Sequence, residues 1–255
     1  MFRFFVSEDQ MDEGRGLVLI GGPDVNHIRN VLRMRPGEQI RVSNGRDKDY
    51  LCALEEIGEE QVTARILEAE ESTELPGEIW LFQGLPKSDK MELIIQKAVE
   101  LGAAKIVPVA TRRAVVKLDR KKEESKGKRW NAISESAAKQ SKRLIIPEVT
   151  KVMTMKEACA LAASFDAGFI PYEKAEGMEE TRRSLGAVRP GMRIGVFIGP
   201  EGGFEEEEVA LAIQSGIRPL TLGRRILRTE TAGLYVLSVL GFLLEETDGS
   251  MGRGR

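Results

Sequence analysis

The segment IGVFIGPEGGFEEEEVALAI, residues 194–213, decides the fold class of this chain. It opens with a short apolar run at 194–198, which has the composition of a strand buried on both faces. Three glycines follow, at positions 199, 202 and 203, and then four consecutive glutamates at 205–208, which the helix dipole favours at a helix N-terminus. A buried strand that leads through a glycine turn into a helix predicts a parallel α/β sheet.

Apolar runs that alternate with helical periodicity extend this pattern from residue 79 to residue 248. Further strands are predicted at 79–84, 105–110, 167–171 and 219–222. Helices are predicted between them, and the last one, at 230–246, is apolar on more than one face. We therefore expect a mostly parallel sheet whose ligand site lies at the carboxyl ends of its strands.

Residues 1–70 show a different pattern, in which short strands are joined by turn signals. These strands are predicted at 2–6, 17–20, 39–43, 50–57 and 61–69. Asn44-Gly45 is a candidate type I′ turn, and Asp24 is the candidate N-cap of a single helix. We predict a small β-barrel domain at 1–70, a linker at 71–78, an α/β domain at 79–248 and a flexible tail at 249–255.

Length and composition describe a folded globular protein. The 255 residues suffice for one large domain or two smaller ones, and 42% hydrophobic with 31% charged residues excludes a disordered or fibrous chain. Cys52 and Cys159 stand far apart without neighbouring ligand residues, so we expect no disulfide, no metal and a cytoplasmic location. His27 is the one histidine, which excludes HExxH metalloproteases. The longest uncharged stretch, 231–244, is too short to span a bilayer, so we expect no membrane function.

The net charge of −2 conceals three basic clusters. Residues 112–143 contain twelve Lys and Arg against four acids. The second cluster consists of Arg218, Arg224, Arg225 and Arg228, and the third of Arg29, Arg33, Arg35, Arg41, Arg46 and Lys48. Clusters of this kind neutralise phosphates, which predicts a nucleic-acid ligand. The alternative for 117–129 alone is a solvated loop that only keeps the protein soluble.

Three segments follow predicted strands at the expected ligand edge: 171–173, 198–203 and 222–228. The sequence has neither a GxGxxG fingerprint nor a Walker loop, so these segments do not form an ordinary dinucleotide or Walker phosphate site. The glycines at 199, 202 and 203 allow backbone groups to approach a flat ligand closely, and the alternative is a tight turn that serves only the fold.

Two of the predicted helices carry apolar stripes. The first starts at Lys87, and its stripe includes Leu93 and Leu101. The second ends near Arg143 and packs through Trp130 and its neighbours, which leaves Arg143 on the solvent side.

Together and in this order, these motifs resemble the ribosomal RNA small-subunit methyltransferase E family (RsmE), of the SPOUT class. The resemblance covers nearly the whole chain. Its two most specific motifs are IGPEGGF at 198–204 and LGRRILRTETA at 222–232, and further matches lie at 27–33, 87–102 and 140–147.

The resemblance implies a PUA-like RNA-binding front domain, a SPOUT domain with a trefoil knot, S-adenosyl-L-methionine as cofactor, and a homodimer. It implies methylation of uracil N3 of uridine 1498 in 16S ribosomal RNA, within the small ribosomal subunit. The implied cofactor-binding residues are Pro171, Ile198, Gly199, Pro200, Glu201, Gly202, Gly203, Leu222, Gly223, Arg225, Ile226, Leu227, Thr231 and Ala232.

Methylation at N3 requires the loss of the N3 proton, because protonated uracil N3 is a poor nucleophile. An arginine donates two hydrogen bonds to the resulting anion and stays charged, so Arg228 is the first catalytic candidate. Glu201 and Glu230 are the candidates for accepting the proton. RNA contacts are predicted at Arg29, Arg33, Lys87, Lys90, Arg113, Lys121, Lys122, Gln140, Arg143 and Arg224.

Two other functions stay open on the sequence alone. One is a SPOUT-class enzyme that methylates a ribose 2′-hydroxyl of tRNA or rRNA. The other is a non-catalytic RNA-binding factor in ribosome assembly. For the apolar final helix, burial inside the monomer is the alternative to a dimer interface.

Overall fold

The computed structural model describes residues 1–246 except 47, 71, 117 and 176. The chain forms two compact units, Met1–Glu74 with Ala138–Ile146, and Leu75–Ala137 with Pro147–Arg255. The predicted tail at 249–255 lies outside the described residues. The predicted domain bounds stay a prediction.

The first unit is built around a six-stranded sheet that is antiparallel except for one pair. Its strands are β1 (Arg3–Phe5), β2 (Met11–Asp12), β3 (Leu17–Gly21), β4 (Gln39–Ser43), β5 (Asp49–Ile57) and β6 (Gln61–Glu70). They lie in the order β1-β4-β5-β6-β3-β2, with β1 parallel to β4. Alternate strand residues such as Val18 and Ile20 point into an apolar core, to which Ile28 also contributes. The small β domain predicted from the turn signals is therefore present.

Two local predictions for this unit are wrong. The helix α1 (Pro23–Asn26) has Gly22 and not Asp24 as its N-cap, because Gly22 has φ 68°, a conformation that glycine adopts without strain before a proline at the first helical position. Asn44-Gly45 is not a two-residue type I′ turn. Such a turn needs a positive φ at both residues, and here Gly45 has a positive φ of 72° while Asn44 does not. The Asn44 N–H donates to the Lys48 carbonyl oxygen at 3.1 Å, so the loop is longer.

The second unit is a seven-stranded sheet flanked by helices. Its strands are β7 (Glu78–Gly84), β8 (Ala103–Ala110), β9 (Glu148–Val149), β10 (Met153–Thr154), β11 (Ala167–Pro171), β12 (Arg193–Ile198) and β13 (Arg218–Leu220). Its helices are α2 (Lys90–Glu100), α3 (Arg120–Ser141), α4 (Met155–Ala162), α5 (Met178–Leu185), α6 (Glu206–Gln214) and α7 (Thr229–Glu246), of which α3 ends in the first unit. The strand order is β10-β8-β7-β12-β11-β13, with β9 beside β8.

All strand pairs described in this sheet are parallel. Leu81 and Phe82, consecutive residues of β7, are both fully buried. Since neighbouring side chains of a strand point to opposite faces, both faces of the sheet are covered. Phe82 stacks on Phe197 of β12 with ring centroids 4.3 Å apart, and Leu81 faces Gly233 of α7. The predicted parallel α/β sheet is confirmed.

Predictions for two helices need correction. Helix α2 begins at Lys90 rather than Lys87, after Ser88 with a positive φ of 56°. Leu93 is 45% exposed, so it does not belong to the buried stripe. The residues of α2 that are buried are Met91, Ile94, Ile95, Ala98 and Val99.

Arg143 is buried at 4% exposure rather than lying on the solvent side. Its Nε donates to the Glu74 carboxylate at 2.8 and 2.9 Å, and the Leu144 N–H donates to the same carboxylate at 2.6 Å. Arg3 donates to the Arg143 carbonyl oxygen at 2.9 Å and pairs with Asp49. The Arg143 guanidinium is thus committed to an internal ion pair and is not displayed to an RNA.

Candidate functional site

A cavity of about 560 Å³ opens at the carboxyl ends of the parallel strands. It is lined by residues that follow β7, β8, β11, β12 and β13. They are Lys90, Arg113, Pro171, Tyr172, Glu173, Ile198, Gly199, Pro200, Glu201, Gly202, Gly203, Phe204, Thr221, Leu222, Gly223, Arg224, Arg225, Ile226, Leu227, Arg228, Thr229 and Ala232. The volume is within the range of about 300–1,000 Å³ that is typical of small-molecule sites.

The cavity joins the three segments that the sequence predicted at this edge. Every predicted cofactor-binding residue lines it except Thr231, which is exposed. Arg228 and Glu201 line it as well, whereas Glu230 lies next to the lining residue Thr229. Of the predicted RNA contacts, Lys90, Arg113 and Arg224 line the cavity. The others that are exposed lie elsewhere: Lys87, Lys121 and Lys122 in the second unit, and Arg29, Arg33 and Gln140 in the first.

The glycines of the 198–203 turn are required by its tight geometry. A Cβ on Gly199 would come within 3.1 Å of Gly203 Cα, so the backbone of the turn would have to move to accept it. The Gly203 N–H donates to the Pro200 carbonyl oxygen at 2.9 Å, and Gly203 has φ 69°. Gly223 in the second turn has φ 103°. Both turns thus expose backbone groups at the cavity wall, where side chains would otherwise intervene.

The acidic start of α6 fixes the far end of the first turn. Glu205 is the N-cap residue, and its N–H donates to Glu208 Oε2 at 2.9 Å in a capping box. Glu208 is buried and also accepts a hydrogen bond from the Arg112 N–H at 2.9 Å. Arg113 pairs with Glu205 at 2.9 Å, which raises the pKa of Arg113 through that hydrogen bond. Part of the first basic cluster is therefore engaged by these acids.

The 222–228 turn carries three unpaired guanidinium groups. They belong to Arg224, Arg225 and Arg228, which are exposed, and none of these guanidinium groups makes a hydrogen bond or ion pair with a residue that the structure describes. In the third basic cluster, by contrast, glutamates pair with Arg29, Arg41, Arg46 and Lys48. Arginines that line a cavity without an internal partner are available to an anionic ligand.

Lys90 joins the two carboxylates that the sequence nominated as proton acceptors. Its Nζ lies 3.0 Å from Glu201 Oε1 and 3.4 Å from Glu230 Oε2. Burial opposes the charge on Glu201, but hydrogen bonds from backbone N–H groups and from Lys90 outweigh it and lower the pKa of Glu201. Glu230 Oε2 is buried and has no hydrogen-bond partner among the described residues. The contact of Glu230 Oε2 with Lys90 is thus an ion pair without a hydrogen bond, whereas Glu201 accepts hydrogen bonds.

Sequence reasoning missed Gln83 and Thr229. Gln83 is fully buried at the end of β7, and its Nε2 donates to Thr229 Oγ1 at 2.9 Å. The Thr229 hydroxyl donates in turn to the Gly199 carbonyl oxygen at 2.6 Å. A polar residue inside the apolar run 79–84 was the signal that could have identified Gln83.

Other kinds of chemistry find little support in the described residues. Burial raises the pKa of Cys52 to about 12 and that of Cys159 to about 11, so neither thiol is a ready nucleophile. Within the described ranges, no three His, Cys, Asp or Glu side chains are grouped as metal ligands. No helix in that part of the chain combines the length and apolarity needed to cross a bilayer.

Comparison with known proteins bears directly on this site. A family model for an RNA methyltransferase domain matches residues 73–241, and a model for an RNA methyltransferase PUA domain matches residues 20–67. The chain is 37% identical over 252 residues to ribosomal RNA small subunit methyltransferase E of Bacillus subtilis, a match that covers 96% of this chain and 98% of that protein. The chain belongs to the ribosomal RNA small subunit methyltransferase E family. The resemblance carried by the motifs at 198–204 and 222–232 is confirmed.

Solved structures of methyltransferases share the fold of this family member. A ribosomal RNA small subunit methyltransferase E from Neisseria gonorrhoeae, bound to S-adenosyl methionine, has a TM-score of 0.80 at 32% identity and covers 95% of this chain and 98% of that one. A Legionella pneumophila methyltransferase in complex with the same cofactor has a TM-score of 0.78 at 33% identity, covering 94% and 96%. The PUA-like front domain and the α/β methyltransferase domain of the predicted fold are confirmed.

Proposed function

We propose that this chain transfers a methyl group from S-adenosyl-L-methionine to N3 of a uridine in 16S ribosomal RNA, the uridine at position 1498, within the small ribosomal subunit. The observation that carries the proposal is the strand-end cavity, in which two glycine-bearing turns meet three arginines whose guanidinium groups have no partner in the described part of the chain. Relatives of this chain are named ribosomal RNA small subunit methyltransferases.

The cavity residues fit S-adenosyl-L-methionine. Gly199 and Gly203 leave the backbone of the first turn bare, and the second turn brings the apolar side chains of Leu222 and Leu227 to the cavity. Backbone groups of 198–203 and 222–227, with Pro171 beside them, are the groups that hold the cofactor. When bound, it supplies an electrophilic methyl group on a sulfonium sulfur. Direct displacement from such a centre needs alignment and no enzyme nucleophile, in agreement with two buried thiols.

Arg228 stabilises the uracil anion. Its guanidinium lines the cavity, has no partner among the described residues, carries a permanent charge and offers several donors to a carbonyl oxygen of the anion. Loss of the N3 proton spreads negative charge over O2 and O4 of uracil. A preorganised cation at that place favours the deprotonated form and lowers the barrier.

Glu230 accepts the N3 proton. A general base needs a lone pair that is free to receive a proton. Glu230 Oε2 accepts no hydrogen bond from the described residues, with Lys90 Nζ 3.4 Å away as its ion-pair partner. Glu201 is a weaker base than an ordinary glutamate, since its lowered pKa reflects hydrogen bonds from its own N–H, Lys90 and the Lys87 N–H that protonation would weaken. Lys90 holds both carboxylates in place.

The RNA is anchored by exposed cations around the cavity and on both units. Arg224 lies at the cavity itself, and Lys121 and Lys122 lie in the first turn of α3. Arg29, Arg33 and Gln140 are the corresponding exposed residues of the first unit. The target uridine has to leave its stack to reach the cavity, so an unpaired or splayed RNA segment is the substrate.

The functional form is a homodimer in the cytoplasm. On α7, Tyr235 and Phe242 are 42% and 60% exposed, and because they are two helical turns apart they share one face. Leu93 is exposed on α2, which packs against α7. Light scattering tests this part of the proposal, with twice the mass of one chain as the expected result.

Labelled nucleosides test the reaction. Small ribosomal subunits from a strain lacking this chain are incubated with the purified protein and S-adenosyl-L-methionine labelled in its methyl group, and the RNA is then digested for mass spectrometry. The expected product is N3-methyluridine. Label on a ribose 2′-oxygen would make the chain a ribose methyltransferase. Absence of labelled RNA, with no heat of cofactor binding, would make it a non-catalytic RNA-binding factor.

A further inference from the structure

A hydrogen-bond relay connects three elements that meet at the cavity. It runs from Gln83 Nε2 to Thr229 Oγ1 at 2.9 Å and from the Thr229 hydroxyl to the Gly199 carbonyl oxygen at 2.6 Å. Gln83 lies at the end of β7, Thr229 begins α7, and Gly199 belongs to the turn after β12. β7 and β12 are paired in register so that Gln83 lies opposite Ile198, directly before that turn.

Thr229 is the point at which the two glycine-bearing turns are joined. It follows directly on the 222–228 turn, and its hydroxyl holds the carbonyl group of Gly199 in the 198–203 turn. The hydroxyl makes both contacts with residues outside its own helix, so neither bond serves the helix itself. This oxygen atom therefore links the two cavity walls directly, beside the ion pairs of Lys90 with Glu201 and Glu230.

The side chains of the relay are buried. Gln83 is fully buried and Thr229 is 6% exposed. Gln83 donates its second Nε2 hydrogen to the Gly84 carbonyl oxygen at 2.9 Å, so the whole amide is immobilised, while its Oε1 has no partner among the described residues. A buried glutamine with an unsatisfied oxygen costs stability compared with an apolar residue, so the stability of the core does not account for the glutamine at this position.

We propose that Thr229, oriented by Gln83, is a positioning residue that sets the separation of the two turns and thereby the affinity for the methyl donor. The proposal rests on the proposed function, since it takes S-adenosyl-L-methionine as the ligand between the turns. Thr229 itself lines the cavity, whereas Gln83 acts through it. The hydroxyl group, and not the size of the side chain, is the feature that matters.

Calorimetric titration with S-adenosyl-L-methionine tests the proposal on the full-length protein. Thr229→Val keeps the shape of the side chain and removes the hydroxyl. We expect its Kd to rise about tenfold, because the Gly199 carbonyl oxygen loses this donor and one Nε2 hydrogen of Gln83 loses its acceptor. Thr229→Ser restores the hydroxyl and should bring the Kd back to within about threefold of the wild type. Ser164→Ala is the matched control, because the Ser164 hydroxyl also donates to a carbonyl oxygen at 2.9 Å but does not line the cavity.

A double-mutant cycle tests the role of Gln83. Gln83→Met keeps the volume and removes the amide, and it should weaken binding less than Thr229→Val does. The double variant should bind no more weakly than Thr229→Val alone, because the amide acts through the hydroxyl. If the two substitutions weakened donor binding additively, Gln83 would not act through Thr229.

The outcomes separate this proposal from the proposed function. If the wild type does not bind the donor, the proposed function fails. If the wild type binds and Thr229→Val binds equally well, the positioning role fails and the function stands. Thermal unfolding without donor is measured for every variant. If Thr229→Val does not fold, Gln83→Met decides, with unchanged Kd contradicting the relay and a raised Kd supporting it.

Discussion

Arg113 Nη1 donates a hydrogen bond to the carbonyl oxygen of Gly202 at 2.9 Å. The same guanidinium pairs with Glu205 at 2.9 Å, so it braces the glycine turn against the start of α6. The packing is tight, since a Cβ on Gly202 would come within 3.1 Å of Arg113 Cβ. A residue predicted from its charge to contact RNA thus has an internal task at the cofactor turn.

Arg113→Ala should therefore affect donor binding more than RNA binding. Removing the brace frees the Gly202 carbonyl, and we expect the Kd for S-adenosyl-L-methionine to rise about fivefold to tenfold, the equivalent of roughly one hydrogen bond. Arg224→Ala is the comparison, because Arg224 lines the cavity without an internal partner for its guanidinium among the described residues and should weaken RNA binding instead. Calorimetry with the donor and filter binding with RNA measure the two effects. If Arg113→Ala weakened RNA binding and left donor binding unchanged, Arg113 would be an RNA contact instead.

Arg228→Ala should abolish methylation and spare donor binding. The loss of the guanidinium removes the stabilisation of the uracil anion, for which we expect a decrease in kcat of about 100-fold to 1,000-fold. Single-turnover methylation assays measure the rate, and calorimetry measures the unchanged donor affinity. Arg218→Ala is the matched control, as an exposed arginine of the same basic cluster that does not line the cavity. Equal turnover by Arg228→Ala and wild type would contradict the assignment.

Glu230→Gln and Glu201→Gln should differ in their pH profiles. If Glu230 is the base, Glu230→Gln lowers the rate by about 100-fold or more at neutral pH, and the deficit shrinks at high pH where hydroxide removes the N3 proton. Because its pKa is lowered, Glu201 stays ionised at pH values at which an ordinary glutamate is already protonated. Its pairing with Lys90 therefore stabilises the fold at neutral pH, and this contribution is lost only as the pH falls through the lowered pKa. Glu201→Gln should thus leave the shape of the profile unchanged. If Glu201→Gln changed the pH profile and Glu230→Gln did not, Glu201 rather than Glu230 would be the base.

The double variant K121E/K122E should weaken RNA binding with a reduced dependence on salt. For a single-stranded segment, each phosphate that the variant no longer neutralises lowers the slope of log K against log salt by about 0.7, or roughly 1.4 for the pair. K151E/K156E makes the same change of charge at two other exposed lysines and serves as control. Equal affinities of K121E/K122E and wild type at all salt concentrations would leave this stretch as a solvated surface.

Local sequence patterns predicted most of the fold. The strands at 79–84, 105–110, 167–171 and 194–198 were located to within two residues, because buried strands are continuous apolar runs. The two-residue strands β9 and β10 escaped prediction, since two residues are too few to show a pattern. Knotting depends on how the chain passes through its own loops, so the trefoil knot stays a prediction.

The site was predictable where backbone groups form it. The glycine turns were identified from their spacing, but contacts between residues distant in sequence were not. Arg143 was misjudged because its partner Glu74 lies 69 positions away, and Thr229 was missed because its acceptor Gly199 lies 30 positions away. Charge alone likewise did not distinguish Arg113, which is paired, from Arg228, which is available to a ligand.

A crystal structure of the protein with S-adenosyl-L-methionine tests most directly whether the two turns enclose the methyl donor. We expect electron density for the donor between 198–203 and 222–228, held by backbone groups and adjoining Arg228. Density for the donor at another place on the protein, or an empty cavity at saturating donor concentration, would contradict this assignment.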